Sequence, residues 1–244
     1  VPRMAPKGLK PNLIGMGRDA MRAALIDAGT ADKQANMRVG QIWSWIYQKG
    51  VSDPALMTNL SKDFRAKIAE DFRIERPEIV TRQVSEDGTR KYLVRIAGGH
   101  EVEIVYIPEE DRGTLCVSSQ VGCMLDCSFC ATGKQGFNGN LSTGQIVGQI
   151  IIANQEMAAA GDERSVTNVV LMGMGEPLLN FDAMLRATDL MTDDLAFGLA
   201  KRRVTVSTAG VVPGIRKLTE HSEVALAISL HAPNNELRNE LVPI

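Results

Sequence analysis

The chain has 244 residues, 44% hydrophobic and 23% charged, which suits an ordinary soluble protein with one large or two modest domains. No apolar run approaches the ~20 residues that a membrane helix needs, so a membrane protein is not expected. A net charge of −2 argues against a generic nucleic-acid binder, although residues 1–90 carry +4 and residues 91–244 carry −6. The basic front could help dock a polyanion, and a solvated helical surface explains it equally well.

Residues 1–12 hold three prolines and little apolar periodicity, which predicts a flexible lead-in. A helix is predicted over roughly residues 18–28, ending at Gly29, and a second over about 35–49. In the second, Val39, Ile42, Trp43, Ile46 and Tyr47 follow the i, i+3, i+4 rhythm of a buried face, and Gly50 sits where a C-terminal cap belongs. Asp53-Pro54 reads as an N-cap followed by a first-turn proline, and Ser61 opens a helix carrying Phe64, Ile68 and Phe72. This predicts a small helical domain over 1–77 whose aromatic residues are core rather than base-stacking surface; Trp45 lies off the stripe.

Residues 78–109 change to short strands, at Ile79-Val80, Tyr92-Leu93-Val94 and residues 102–106, punctuated by the turn dipeptides Asp87-Gly88 and Gly98-Gly99. A two-hairpin linker is expected. On its last strand Glu101 and Glu103 alternate with Val102 and Ile104, so the carboxylates share one face; the pattern alone reads as a wet sheet face.

From residue 110 the pattern is strand then helix, repeated. Strands are predicted at 114–118, 166–172, 204–207 and 224–229, with helices from the capping box Ser142-x-x-Gln145 to about residue 157, from 181 to about 191, and from 213 to 220. The alternation implies an α/β unit with a parallel sheet and helices outside, whose functional residues gather at the carboxyl ends of the strands. Several sequence features fall there: Gly173-Met174-Gly175-Glu176-Pro177, Ser207, and Ser229 with His231. Glycines in the first let backbone come close to a ligand, and the serines and histidine supply small donors and acceptors. Lys201-Arg202-Arg203 precedes a strand on the opposite rim and reads as solvated charge.

After the first of these strands comes Cys123-Met124-Leu125-Asp126-Cys127-Ser128-Phe129-Cys130, which holds three of the four cysteines. Three thiolates on one short loop are the ligands that iron–sulfur clusters prefer, and a four-iron cluster held by three keeps one iron open. Two other readings stand beside this. A structural disulfide is disfavoured by the lack of an opening signal peptide. A zinc site could recruit Cys116 as fourth ligand, although its distance of six intervening residues is not the usual spacing of paired zinc cysteines.

With an aromatic residue just before its last cysteine, the loop resembles that of the radical S-adenosylmethionine (SAM) enzymes. Further stretches resemble one family among them, the adenine-C2 methyltransferases of 23S ribosomal RNA and tRNA. These are Val102-Glu103 with Tyr106-Ile107-Pro108, the run Thr114-Leu115-Cys116-Val117-Ser118-Ser119-Gln120-Val121-Gly122-Cys123, Gly173-Met174-Gly175-Glu176-Pro177-Leu178, Arg202-Arg203-Val204-Thr205-Val206-Ser207-Thr208 and Ala227-Ile228-Ser229-Leu230-His231-Ala232. The resemblance runs from about Asp19 to the last residue and is strongest from Glu101 onward.

It implies a truncated, TIM-like (β/α)6 radical SAM barrel over 110–244. It also implies a 4Fe-4S cluster on Cys123, Cys127 and Cys130, and SAM contacts at Gly175, Glu176, Ser207, Ser229, Leu230 and His231. Glu103 becomes a buried proton acceptor. In that family a methyl group carried on a cysteine near the C-terminus is activated by cluster and SAM and joined to adenine C2. A second cysteine, which Cys116 resembles, then resolves the protein–RNA link through a transient disulfide. The implied partners are 23S rRNA, tRNA and an electron donor such as flavodoxin, for a monomer in the cytoplasm. A related adenine-C8 methyltransferase, and a zinc-stabilised RNA-binding module without catalysis, are the rival readings. No cysteine follows Cys130, so the methyl-carrying residue and the closing strands are expected to lie outside this chain, which reads as a fragment.

Overall fold

The computed structural model describes residues 10–162 and 166–244. Most of the expected lead-in lies outside the described residues, but residues 10–12 are anchored rather than loose. Asn12 bridges to Arg73, and its carboxamide bonds Glu75 through both N–H (3.1 Å) and C=O (2.8 Å). Three helices follow, α1 (Arg18–Asp27), α2 (Asp32–Trp43) and α3 (Lys62–Asp71), with α2 running on as a π-helical turn over Ser44–Gln48. The caps act where the sequence put them: Asp53 accepts from the Ala55 N–H before a 3-10 turn (Pro54–Leu56), and Ser61 accepts from the Phe64 N–H. Trp43 and Tyr47 are buried core. Trp45 is half-buried, its indole N–H donating to Asn59 at 2.5 Å beneath the ammonium of Lys49.

Three antiparallel strands come next, β1 (Glu78–Val84), β2 (Arg90–Arg95) and β3 (Glu101–Pro108). They are not a separate bridge. β3 pairs antiparallel with β4 (Gly113–Cys116), so the hairpins extend the main sheet. A two-stranded ribbon, β5 (Gln120–Gly122) with β6 (Phe137–Asn140), brackets the cysteine loop and the short α4 (Ala131–Lys134). Sequence reading missed this ribbon, because Phe137-Asn138-Gly139-Asn140 has none of the apolar alternation that marks a strand.

The parallel half then unrolls as expected through α5 (Thr143–Ala159), β7 (Asn168–Leu171), α6 (Phe181–Thr192), β8 (Val204–Thr208), α7 (Val212–His221) and β9 (Ala225–Ile228), and adds a helix that the sequence reading did not expect, α8 (Asn235–Leu241). The seven-stranded order is β1-β2-β3-β4-β7-β8-β9, with β4, β7, β8 and β9 parallel. Both halves of the capping box form at the start of α5. One sheet face carries Leu115, Val169, Leu171, Val204 and Val206, buried under Ile146, Ile150, Met184, Leu190 and Leu218 of the helices. The other face is left half-exposed.

The helical region is fastened to the outer helices of this unit. Tyr47 lies 5.3 Å from the ring of Phe197 and its hydroxyl accepts the Gly15 N–H at 3.0 Å. Arg18 pairs with Asp193 and Asp194, and Gln155 donates to the Gly50 carbonyl at 2.6 Å. Buried residues form one continuous cluster from Leu13 to Leu218.

Candidate active site

Strand register puts the half-exposed side chains in rows. Val105, Cys116, Val170, Thr205 and Ala225 are successive partners across five strands, all on the face away from the helices. Glu103 precedes Val105 by two residues on that face, and Ser207 follows Thr205 by two, paired with Ala227. Cys116, Glu103 and Ser207 therefore look onto one surface. Burial pushes the Cys116 thiol above its ordinary pKa, while a hydrogen bond from the Met172 N–H pulls it back.

Glu103 corrects an expectation. It is not buried: its side chain is 47% exposed and pairs with Lys91 at 2.6 Å. Alternation on β3 fixes this, because Val102, Ile104 and Tyr106 take the packed face and the carboxylates take the other.

Beneath the rim, where β4 leads into β5, lies a buried polar plate. Gln149 of α5 accepts the Ser118 N–H at 2.8 Å and donates to the Ser118 carbonyl at 3.0 Å, so it completes the backbone as a neighbouring strand would. The Ser118 hydroxyl donates to the Glu103 carbonyl (2.7 Å) and accepts the Met174 N–H (2.9 Å). Asn180 donates to the carbonyls of Ser119 and Leu141 at 2.9 and 2.8 Å. Glu176, 3% exposed, accepts the N–H groups of Leu178 (3.1 Å) and Ala209 (2.8 Å). A network bonded this fully is rigid and sets a unique local geometry.

The glycines of the 173–176 turn serve this plate. A Cβ on Gly173 would stand 2.8 Å from the Ser118 hydroxyl, and one on Gly175, at φ +98°, would stand 2.5 Å from the Cβ of Gln120. Their first role is the close approach of two protein segments. The Met174 carbonyl between them is already taken by the N–H groups of Ser119 and Gln120.

The cysteine loop sits against this turn. Burial pushes the thiols of Cys123 and Cys127 up, and the charges of neighbouring loop thiols and of Glu176 add to it. The N–H groups of Leu125 and Glu176 pull Cys123 back, which puts its sulfur beside the 173–176 turn. Cys116 stands apart on its strand. All four cysteines are free, so the expected disulfide is not supported in this chain: three thiols are held on the loop and the fourth in the sheet. Among the described residues no three His, Cys, Asp or Glu side chains converge as a single ion requires, and the zinc set with Cys116 is not assembled. The donor chemistry fits a cluster: three free thiols on one short loop serve separate corners of an iron–sulfur cube, more widely spaced than donors around one ion.

At the end of β9 the chain makes a three-residue turn in which the Ala232 N–H donates to the Leu230 carbonyl at 2.8 Å and His231 takes φ +61°. That conformation is strained for a non-glycine residue. It lays the His231 ring 4.8 Å from Phe129 of the cysteine loop. Leu230 is 70% exposed. The Ser229 N–H donates to Thr208 at 2.9 Å, and Arg238 of α8 reaches the carbonyls of Ala209 and Ser229. The loop, the 173–176 turn and the ends of β8 and β9 thus meet on one rim. The basic Lys201-Arg202-Arg203 turn is on the other, with Lys201 paired to Glu223.

Sequence reasoning assigned no role to Gln120, Gln149, Asn180 or Arg238. A signal existed for Gln149, a lone carboxamide between the core positions Ile146 and Ile150. None existed for Arg238.

A parallel α/β sheet with a three-cysteine loop after its first parallel strand and a glycine turn after its second defines a radical SAM protein. Residues 117–243 match the Radical SAM superfamily, and residues 11–74 match the "Ribosomal RNA large subunit methyltransferase N-terminal domain". The chain is 57% identical to the dual-specificity RNA methyltransferase RlmN of Ruegeria pomeroyi and 56% identical to that of Jannaschia sp., over 100% of its own length and 64% of theirs. A radical SAM methyltransferase from Sphaerobacter thermophilus superposes with a TM-score of 0.87 at 38% identity, over 96% of this chain and 67% of that one. The chain belongs to the radical SAM superfamily, and along its whole length it is similar to RlmN proteins, about two thirds of whose length it spans.

Proposed function

We propose that this chain provides the cluster and SAM sites of a methyltransferase that modifies C2 of adenosine in 23S rRNA and in tRNA. The observation that carries the proposal is that the free thiols of the cysteine loop lie against the 173–176 turn, with a fourth free thiol, Cys116, on the strand that leads toward the loop. When bound, the cluster and SAM supply the one-electron chemistry that activates an otherwise inert methyl group.

The chain's own residues bind, orient and move protons. Cys123, Cys127 and Cys130 hold the metal; burial favours the neutral thiol at Cys123 and Cys127, so metal binding expels protons there. Backbone at Gly175 and Glu176, with Ser207, Ser229, Leu230 and His231, receives the polar ends of SAM. Cys116, a strand away, is the thiol that releases the methylated product. Glu103, on the same open face and paired with Lys91, takes up a proton. The enzyme acts as a cytoplasmic monomer fed by an electron donor of the flavodoxin kind. Among the described residues no helix is long and apolar enough to cross a membrane.

The test is to incubate the full-length protein, including the segment expected to carry the methyl-bearing cysteine, with SAM, a reductant and unmodified rRNA or tRNA, then digest and identify the nucleoside by mass spectrometry. 2-Methyladenosine is the expected product. 8-Methyladenosine would move the chain to the C8 reaction, and no methylation of either RNA would overturn the proposal.

A further inference from the structure

The strand that leads into the cysteine loop carries one polar side chain that the proposed reaction leaves without a task. Gln120 is fully buried. Its carboxamide oxygen accepts the Glu176 N–H at 3.0 Å and the Met124 N–H at 3.4 Å. Its amide nitrogen donates to Oδ1 of Asn140 at 2.8 Å. The orientation of the amide follows from its neighbours, since two backbone N–H groups can face only the oxygen. One side chain thereby touches the turn after β7, the residue next to Cys123, and the strand that returns from the loop. Its own N–H donates to the Met174 carbonyl at 3.1 Å.

The geometry points to Gln120 as a positioning residue: its carboxamide oxygen sets the spacing between the cysteine loop and the 173–176 turn, and so aligns the metal with SAM. The inference rests on the cluster reading of the loop. Two N–H groups, one from each segment, converge on a single acceptor. Removing that acceptor costs the buried Glu176 N–H its oxygen partner, leaving it only the weaker Cys123 sulfur, and releases the Met124 N–H to solvent, so the tie between the two segments is loosened. A ligand held at one end by the loop and at the other by the turn responds steeply to that separation, because a misplacement of about 1 Å can cost on the order of 10²-fold.

Two variants test this in the reconstituted protein. Gln120→Met keeps length and volume without an acceptor, whereas Asn140→Ala removes only the partner of the amide nitrogen. The readouts are iron per chain, the SAM dissociation constant, the change in the reduced cluster's electron paramagnetic resonance spectrum on adding SAM, and amide exchange in the metal-free chain. Gln120→Met is expected to keep its iron, bind SAM at least ~10-fold more weakly, show a blunted spectral change, and exchange the Glu176 and Met124 amides faster. Asn140→Ala stays within about 3-fold of the parent for SAM. Should Gln120→Met fail to fold, Gln120→Asn carries the test with the same chemistry withdrawn by one methylene. Unchanged SAM affinity overturns the inference, and so does loss of iron together with SAM, which would make Gln120 mere support for the loop. A parent protein that binds no iron sinks the cluster reading instead, so the two failures are distinguishable.

Discussion

Glu176 and Ala209 are joined across the exits of β7 and β8 by a hydrogen bond of 2.8 Å from backbone N–H to buried carboxylate. The second carboxylate oxygen holds Leu178 at the start of the next turn. The side chain expected to contact SAM is therefore occupied in shaping the rim. Bonds to a charged acceptor are worth more than neutral ones, and their loss in a buried place is felt in full.

Glu176→Gln keeps one acceptor oxygen and turns the other into a donor facing a donor. We expect it to destabilise the metal-free protein by about 1.5–3 kcal/mol in urea denaturation. A change below about 0.5 kcal/mol would mean that the rim does not depend on this carboxylate.

Asn180 gives a second measure of the buried plate. Asn180→Ala removes the donor to the Leu141 carbonyl and one of two donors to the Ser119 carbonyl, which keeps the Leu141 N–H, and the expected loss is about 1–3 kcal/mol. Lys217→Ala, which removes a pair between exposed groups (Lys217 and Asp182), is the control and is expected to stay within about 0.5 kcal/mol. Equal effects would remove any special standing from the plate.

The contrast between these residues explains what the sequence disclosed. Helices α2 and α5 and strands β7 to β9 were legible because apolar spacing and caps report directly on burial. The rim was legible because its cysteines and glycines cluster in sequence. The ribbon β5–β6 was not, since its strands are held by Gln120, Asn140 and a tight return rather than by an apolar face. Glu103 was misjudged in burial for a related reason: the alternation stated which face it shares, and only the pairing with Lys91 states how open that face is. Gln120 and Asn180 act at sequence separations of 56 and 61 residues, beyond the reach of any local pattern.

Glu103→Gln separates stability from function. The Lys91 pair is exposed, so its loss should change stability by no more than about 0.5 kcal/mol. If Glu103 accepts a proton during turnover, methyl transfer falls by at least ~10²-fold while SAM cleavage persists. Unimpaired methyl transfer would remove Glu103 from the mechanism.

Cys116 offers the last test, because burial raises its thiol pKa above the ordinary value of 9.0. The unfolded chain gives up this proton at the ordinary value, and the folded chain holds it longer. Above that value the unfolded state binds fewer protons, so stability falls as pH rises; the contribution is whole below it and is lost as pH climbs through the raised value. Cys123 and Cys127 are shifted the same way, which makes the difference between parent and Cys116→Ser the quantity to read. In metal-free protein titrated from about pH 8 to about pH 11, the variant should lose less stability with rising pH than the parent. Coincident curves would show that the thiol is not perturbed. The same shift bears on turnover: a neutral thiol is a poor nucleophile, so a product-release step that needs the Cys116 thiolate should quicken by about tenfold per pH unit above neutrality. In the full-length protein, with the methyl-bearing cysteine, Cys116→Ala should keep its iron and its SAM cleavage yet accumulate protein-linked RNA. Loss of iron in that variant would instead return Cys116 to the metal site.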